Sequence, residues 1–512
     1  MKKLLPLLLL LVVICLQASA AEELPAEFSP ADLVPAATDG FVQTTELSRL
    51  CKAYSAFAAM HDSDTKLIRA ASNIARVTGV DFTNEKSLSK AGISIKQKAG
   101  FGFDAKGGRA ANLFIMLPVA DGEKFATSFA KALRKLVKNK SRDMYPAISL
   151  YRGVKIGQIG KDIFYFAMKG YFFICSSGDA AASLIDCDIN NGAKLANDAA
   201  YADCDAKRNK RFTTLSLFAR REAIRLVPFF EDANKRFIAN VNFICADVLI
   251  EGNRLRFKAG ADFKTGSEDA AKLLSVIKTG GKRKVLYNDE FDAYAFFSIN
   301  PLSARQLRDL PAAAELYKTA EQKLKKLYGI TLADVIIAAA DTINMIKPDA
   351  EADEYAVLLS AKDKAKAAAL ADKISAFMKR KKNSGAQTVA GEQAAVYEDE
   401  EAKLRFALRS KNGVYTGTSP EAITLLLTES LEKHQTDADV WGLVYANNAA
   451  LAGYLQKKSK ADKETSSIAA LAPRVDTLKV TCLKNTSFVY VEADAAFAQR
   501  APERPAVKTD SP

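Results

Sequence analysis

Two histidines, His61 and His434, are all the imidazole in the chain. That excludes a His-rich metal site and leaves a Ser-His or Cys-His dyad almost nothing to draw on. For each histidine a surface or packing role is the default. The HExxH, GxSxG and GxxxxGKS/T patterns are all missing from the sequence. No zinc-protease helix, nucleophile elbow or phosphate-cradling loop is therefore written locally. Three short pieces imitate a penicillin-binding set: Ser128-Phe129-Ala130-Lys131, Ser298-Ile299-Asn300, and Lys264-Thr265-Gly266 or Lys278-Thr279-Gly280. In that class the serine opens a core helix and SxN precedes KTG. Here Ser128 falls mid-helix and both KTG triplets precede Ser298, so coincidence is the better reading. Two carboxylates suffice for glycoside hydrolysis. The cluster Asp399-Glu400-Glu401 stands just before a hairpin, where a solvated loop is expected. No catalytic residue, metal ligand or cofactor is assigned.

Basic helix ends are the strongest remaining chemical signal. A first-half helix closes with Arg134, Lys135, Lys138, Lys140 and Arg142, and a second-half helix closes with Lys379, Arg380, Lys381 and Lys382. Basic residues suit a helix C-terminus and keep a surface soluble. Their matched positions also make them candidate anion-binding patches. The run 207–211 reads as an exposed loop, and Trp441 as core packing.

An export signal frames these residues. Met1-Lys2-Lys3 precedes an apolar stretch, 4–16, and then the small residues Ala18-Ser19-Ala20. This is the pattern of a secretory signal cut after Ala20. The stretch is shorter than the ~20 residues a membrane span needs. Cys15 invites a lipoprotein reading, which the bulky Ile14 before it disfavours. No transmembrane span is expected after cleavage, and the location is periplasmic or extracellular. The formal charge of +13 falls to +11 once Lys2 and Lys3 are removed. An exported basic protein meets lipid head groups or acidic wall polymers, not nucleic acid. The partner is expected to be an anionic envelope component or another envelope protein. Six cysteines remain, with no CxxC pair, too few for a disulfide scaffold in a chain of 512 residues. Most are expected as small buried hydrophobes, and Cys187 and Cys204 would bridge if their segments meet.

The elements that must position these side chains recur twice. Helical stretches at 67–77 and 316–327 each stop at a glycine, Gly79 and Gly329. A strand at 113–117 leads to Asp121 and a helix, and a strand at 355–359 leads to Asp363 and a helix. Hairpins follow: 163–168 with 171–174, and 404–408 with 414–416. Ser177 and Ser419 cap the next helices, with Pro420 at a first helical position. Alternating strands then run to Phe263 and Phe497. The paired positions Gly79/Gly329, Asp121/Asp363, Phe166/Phe406, Ser177/Ser419 and Phe263/Phe497 lie 250, 242, 240, 242 and 234 residues apart. Tight hairpins between single helices predict an α+β fold: two tandem repeats, each an antiparallel sheet with helices packed mainly on one face. The expected divisions are a signal peptide at 1–20 and a flexible start at 21–33. A first repeat at 34–263 is followed by a linker at 264–285 containing a short helical stretch. A second repeat spans 286–497, with a disordered tail at 498–512.

The segments Val34-Pro35-Ala36-Ala37-Thr38, Thr78-Gly79-Val80-Asp81, Pro118-Val119-Ala120-Asp121 and Tyr151-Arg152-Gly153-Val154 resemble an uncharacterised bacterial exported-protein family, a domain of unknown function. The second half departs from this pattern, with Thr331 where the first has Asp81. The resemblance implies an exported duplicated α+β architecture and carries over no catalytic residue. Reactive residue types do not repeat with the scaffold, which favours binding or scaffolding over catalysis. The alternatives are a carrier of a lipid or other apolar ligand, in a cavity lined by Phe125, Phe129, Phe166 or Phe172, and a hydrolase acting on envelope polymers.

Overall fold

A computed structural model describes residues 29–60, 81, 84–106, 109–137, 147–207, 213–226, 238–279, 284–287, 291–298, 300, 311–338, 342–349, 352, 354–360, 363–428, 432–435, 437, 439–451, 475–485 and 487–497. They group into two compact units, one holding 29–226 and 242–259, the other 238–241 and 260–497. The expected signal at 1–20, the tail at 498–512, the helix at 67–77 with Gly79, His61 and the basic residues 208–211 lie outside the described residues.

The strands of the first unit, two of which have an end (Val241 and 260–263) grouped with the second, stand in the order Arg254–Phe263, Val241–Glu251, Leu215–Arg220, Gly40–Thr44, Gly100–Lys106, Arg109–Pro118, Tyr171–Cys175, Ile163–Met168, Val154–Ile159 and Ala147–Tyr151. From Val241–Glu251 onward every neighbour is antiparallel. In the second unit the order is Phe488–Phe497, Val475–Asn485, Val440–Asn447, Ala293–Ser298, Thr342–Lys347, Ala356–Ser360, Gly413–Gly417, Leu404–Ser410, Glu392–Glu398 and Gly385–Val389, all antiparallel. The two orders correspond strand for strand.

The registers correspond as well. Cys175 faces Phe114 on one side and Phe164 on the other. Gly417 faces Ala356 and Phe406. Each of these residues lies 242 positions after its counterpart. The pairing therefore matches Phe406 with Phe164, two residues before the Phe166 suggested by the sequence pattern. A backbone clamp recurs too. Leu113 N–H donates to Ser176 Oγ at 2.9 Å and Ser176 N–H to Leu113 O at 2.8 Å. Tyr355 and Thr418 make the same two bonds, both 3.0 Å.

Both faces of each sheet carry helices, which corrects the expectation of helices mainly on one face. In the second unit Leu359, Ala407 and Val414 pack against helix Lys364–Met378 through Leu370, Ile374 and Met378. The alternate residues Leu358, Phe406, Leu408 and Tyr415 pack against helix Pro420–Leu427 through Ala422, Ile423 and Leu426. In the first unit Phe125 and Phe129 of helix Gly122–Val137 meet Phe172 edge-on at 4.8 and 4.9 Å. Helix Gly178–Ile189 lies against the residues of opposite parity, with Gly178 close to Phe164. The physical reason is that strand Tyr171–Cys175 is apolar and buried at every position, so both of its faces need cover.

Local chemistry sets the ends of these elements. Ser177 Oγ accepts from Ala180 N–H and Ser419 Oγ from Ala422 N–H, each satisfying a helix-start donor. Asp121 and Asp363 cap their helices by accepting from Lys124 N–H and from Ala365 and Lys366 N–H. The hairpin loops Arg152-Gly153, Lys169-Gly170 and Ala390-Gly391 have positive φ at both residues, the turn that matches strand twist. The hairpin between strands Leu404–Ser410 and Gly413–Gly417 turns through Lys411-Asn412, because Ser410 pairs with Gly413. The helix expected inside 264–285 is Glu268–Val276, capped by Ser267. Pro30–Leu33, placed in the flexible start, instead forms a 3₁₀ turn whose Pro30, Ala31 and Leu33 are buried. No described helix is long and apolar enough to cross a membrane.

Candidate functional site

Helix Pro311–Tyr328 ends at Gly329, whose φ of +67° only glycine adopts without strain, and a Cβ there would meet the Phe377 ring at 2.2 Å. The last turns of this helix bring Lys323, Lys326 and Leu327 to one side of a cleft of about 790 Å³. Helix Lys364–Met378 ends nearby, and the turn after it supplies Lys381, Lys382 and Asn383. Tyr355, Tyr397, Arg405 and the loop 398–403 complete the lining with Thr418.

Arg405 organises the floor. Its Nε and Nη2 reach Asp399 Oδ2 at 2.7 and 2.6 Å, and its Nη1 donates to Tyr355 Oη at 2.8 Å. Both charged side chains are only 8% exposed, so each depends on the other. Asp399 Oδ1 accepts from Glu401 and Lys403 N–H at 2.9 and 3.0 Å, closing the loop around the carboxylate. Burial alone would raise the Asp399 carboxyl. The Lys403 N–H, the Arg405 side chain and the Glu401 N–H outweigh it and hold the group below the usual carboxylate range. Burial pushes the Tyr397 phenol up to about 12, so it stays protonated. The Tyr397 hydroxyl donates to Leu327 O.

Six basic side chains and four carboxylates line this cleft. Arg405 neutralises Asp399, Lys326 meets Glu400 at 2.9 Å and Lys403 meets Glu401 at 3.7 Å. Glu398 accepts from Asn383 Nδ2 at 2.9 Å. Among the described residues Lys323, Lys381 and Lys382 have no carboxylate within ion-pair distance. Lys381 lies 4.6 Å above the Phe377 ring. The arrangement can hold an anion and offers carboxylate acceptors beside it.

Of the residues singled out from the sequence, Lys381 and Lys382 line the cleft. Lys379 and Arg380 share their turn but not the lining; Arg380 Nε donates to Ala376 O. Arg134 and Lys135 lie on helix Gly122–Val137, with side chains outside the described residues. Lys138, Lys140 and Arg142 also lie outside them. Asp399 corrects the solvated-loop reading, whereas Glu400 and Glu401 are exposed as expected. Arg405 and Tyr355 escaped notice. The missed signal was Arg405 itself, an arginine on the core-facing parity of a strand, two residues from buried Ala407.

Among the described residues, the first unit lacks the Arg405 and Tyr355 chemistry at the matching places. Arg405 pairs with Tyr397 across the sheet as Ile163 pairs with Ile159, and Tyr355 stands where the first unit has Leu113. Elsewhere in the first unit Cys204 and Cys245 form a disulfide. This corrects the pairing of Cys187 with Cys204. Helix Ala199–Ala206 turns Cys204 toward the sheet, and Cys187 is a free buried thiol directed at Ala193 O. No described group of His, Cys, Asp and Glu side chains has the geometry to hold a metal ion.

No family model and no curated protein matches the chain. Among solved structures it is similar to crystal forms of the protein TP0453. Form III is 8% identical over 52% of this chain and 92% of that one, with a TM-score of 0.29. Form IV is 9% identical over 46% and 81%, with a TM-score of 0.28. Likeness at that level falls short of a shared fold.

Proposed function

We propose that this chain is an exported binding protein of the cell envelope without catalytic activity, built from two tandem copies of one α+β domain at 34–263 and 286–497. Its second unit would hold an anionic envelope component. The observation that carries the reading is the second unit's cleft, where, among the described residues, Lys323, Lys381 and Lys382 lack carboxylate partners above a buried, self-neutralised Arg405–Asp399 floor. Matching strand orders, registers and caps support the duplication. The signal-like start supports export to the periplasm or beyond, and the Cys204–Cys245 disulfide suits an oxidising compartment.

Two features favour binding over the alternatives. The rings of Phe125, Phe129 and Phe172 pack edge-on with full burial, so the space between sheet and helix at these three rings is filled by protein. Asp399 is held ionised, which makes it a poor general acid at neutral pH. The test is binding of the mature chain to phosphatidylglycerol vesicles and to an acidic wall polymer, before and after charge reversal of Lys379 to Lys382. Salt-sensitive binding that is lost in the variant is expected. Binding that the reversal leaves unchanged removes the site.

A further inference from the structure

The cleft carries information about its ligand beyond the sign of the charge. A bare inorganic anion would gain from Lys323 and Lys382 but would also meet the nearby carboxylates of Glu398 and Glu400. Those carboxylates are acceptors and suit hydroxyl donors. The floor adds one half-buried aromatic side chain, Tyr355, whose amphipathic ring suits the face of a sugar ring; Tyr397, 2% exposed, backs the floor from within the core. The volume of about 790 Å³ lies within the roughly 300–1,000 Å³ range of small-molecule sites. The first unit places Leu113 at the Tyr355 position, so this ring is a feature of the second unit's cleft and not of the clamp the two units share. We infer that the second unit's cleft takes an acidic saccharide, a sugar carrying a carboxylate or phosphate among its hydroxyls. The inference rests on the cleft being the binding site proposed above. The acid group lies at Lys323 and Lys382, and the hydroxyls face Glu398 and Glu400.

The test is calorimetric titration of the mature full-length chain with trigalacturonate, glucose 1-phosphate, neutral galactotriose, inorganic phosphate and phosphatidylglycerol vesicles. Each is repeated with the double variant Lys323→Glu/Lys382→Glu. Both lysines are exposed, and an unchanged far-ultraviolet spectrum verifies the variant's fold. At least one acidic sugar is expected to bind about tenfold or more tightly than galactotriose, with that margin lost in the variant. Which of the two binds tells a carboxylate sugar from a phosphate sugar. Equal binding of galactotriose overturns the inference. So does binding of vesicles or phosphate without either acidic sugar, a result that leaves the anion-binding reading standing. Binding that the variant does not alter, or no binding by any probe, overturns both.

Discussion

Replacing Arg405 by leucine strips Asp399 Oδ2 of both its side-chain donors and Tyr355 Oη of one, and leaves only the two backbone N–H donors on Oδ1. Breaking a buried pair from one side costs about 3–5 kcal/mol. The retained backbone donors place Arg405→Leu near the lower end, at about 3 kcal/mol. Asp399→Asn leaves the guanidinium buried without its counter-charge, at a similar ~3 kcal/mol. The double variant removes both charges and leaves neither unpaired, so it should cost no more than either single change, where independent effects would give about 6 kcal/mol. For a unit of this size 3 kcal/mol corresponds to a fall in Tm of about 6–12 °C. Trp441 is the chain's sole tryptophan and stands on strand Val440–Asn447 of the second unit, so its fluorescence during urea unfolding reports that unit. Single and double effects that add to within about 0.5 kcal/mol would falsify the buried pair as the organiser of the cleft floor.

The matched caps yield a paired prediction. Ser177→Ala and Ser419→Ala should each cost about 1 kcal/mol in their own units, read by amide hydrogen exchange of the following helix. A negligible effect in either would show that the cap is not equivalent. Phe172→Ala should cost about 3–5 kcal/mol, because both neighbouring rings lose their partner; a loss under 1 kcal/mol would mean the interface is loose. The Asp399 carboxyl is depressed in the fold, so its contribution is complete above the ordinary carboxylate range and disappears as pH falls through the lower folded value. The stability difference between the parent chain and Asp399→Asn should therefore be largest at neutral pH and shrink as pH falls through the folded value; a difference that does not change with pH in urea titrations would contradict it.

Legibility in the sequence followed the range of the interaction. Ser177, Ser419, Pro420 and Gly329 act within one turn of chain, and their residue types alone announced helix ends. The hairpin turning at Gly170 was equally local. The placement of helices on both faces was also written, in the unbroken apolar run Tyr171–Cys175, but the expectation rested on hairpin connectivity and overlooked that run. The cleft was harder to see, because its members are far apart in sequence: Lys323, Tyr355, Lys382 and Arg405 meet only through long-range packing. Lys381 and Lys382 were visible as a basic helix end. Asp399 was seen as one acid among neighbours, and only its distance to Arg405 shows that it is buried and paired.

The central claim is that the second unit, and not the first, carries the ligand site. Hydrogen exchange of the mature chain with and without trigalacturonate tests it most directly. The account predicts new protection confined to the segments 381–383 and 398–405. Protection confined to the first unit, or no change in either segment at a concentration where binding is measured, would contradict it.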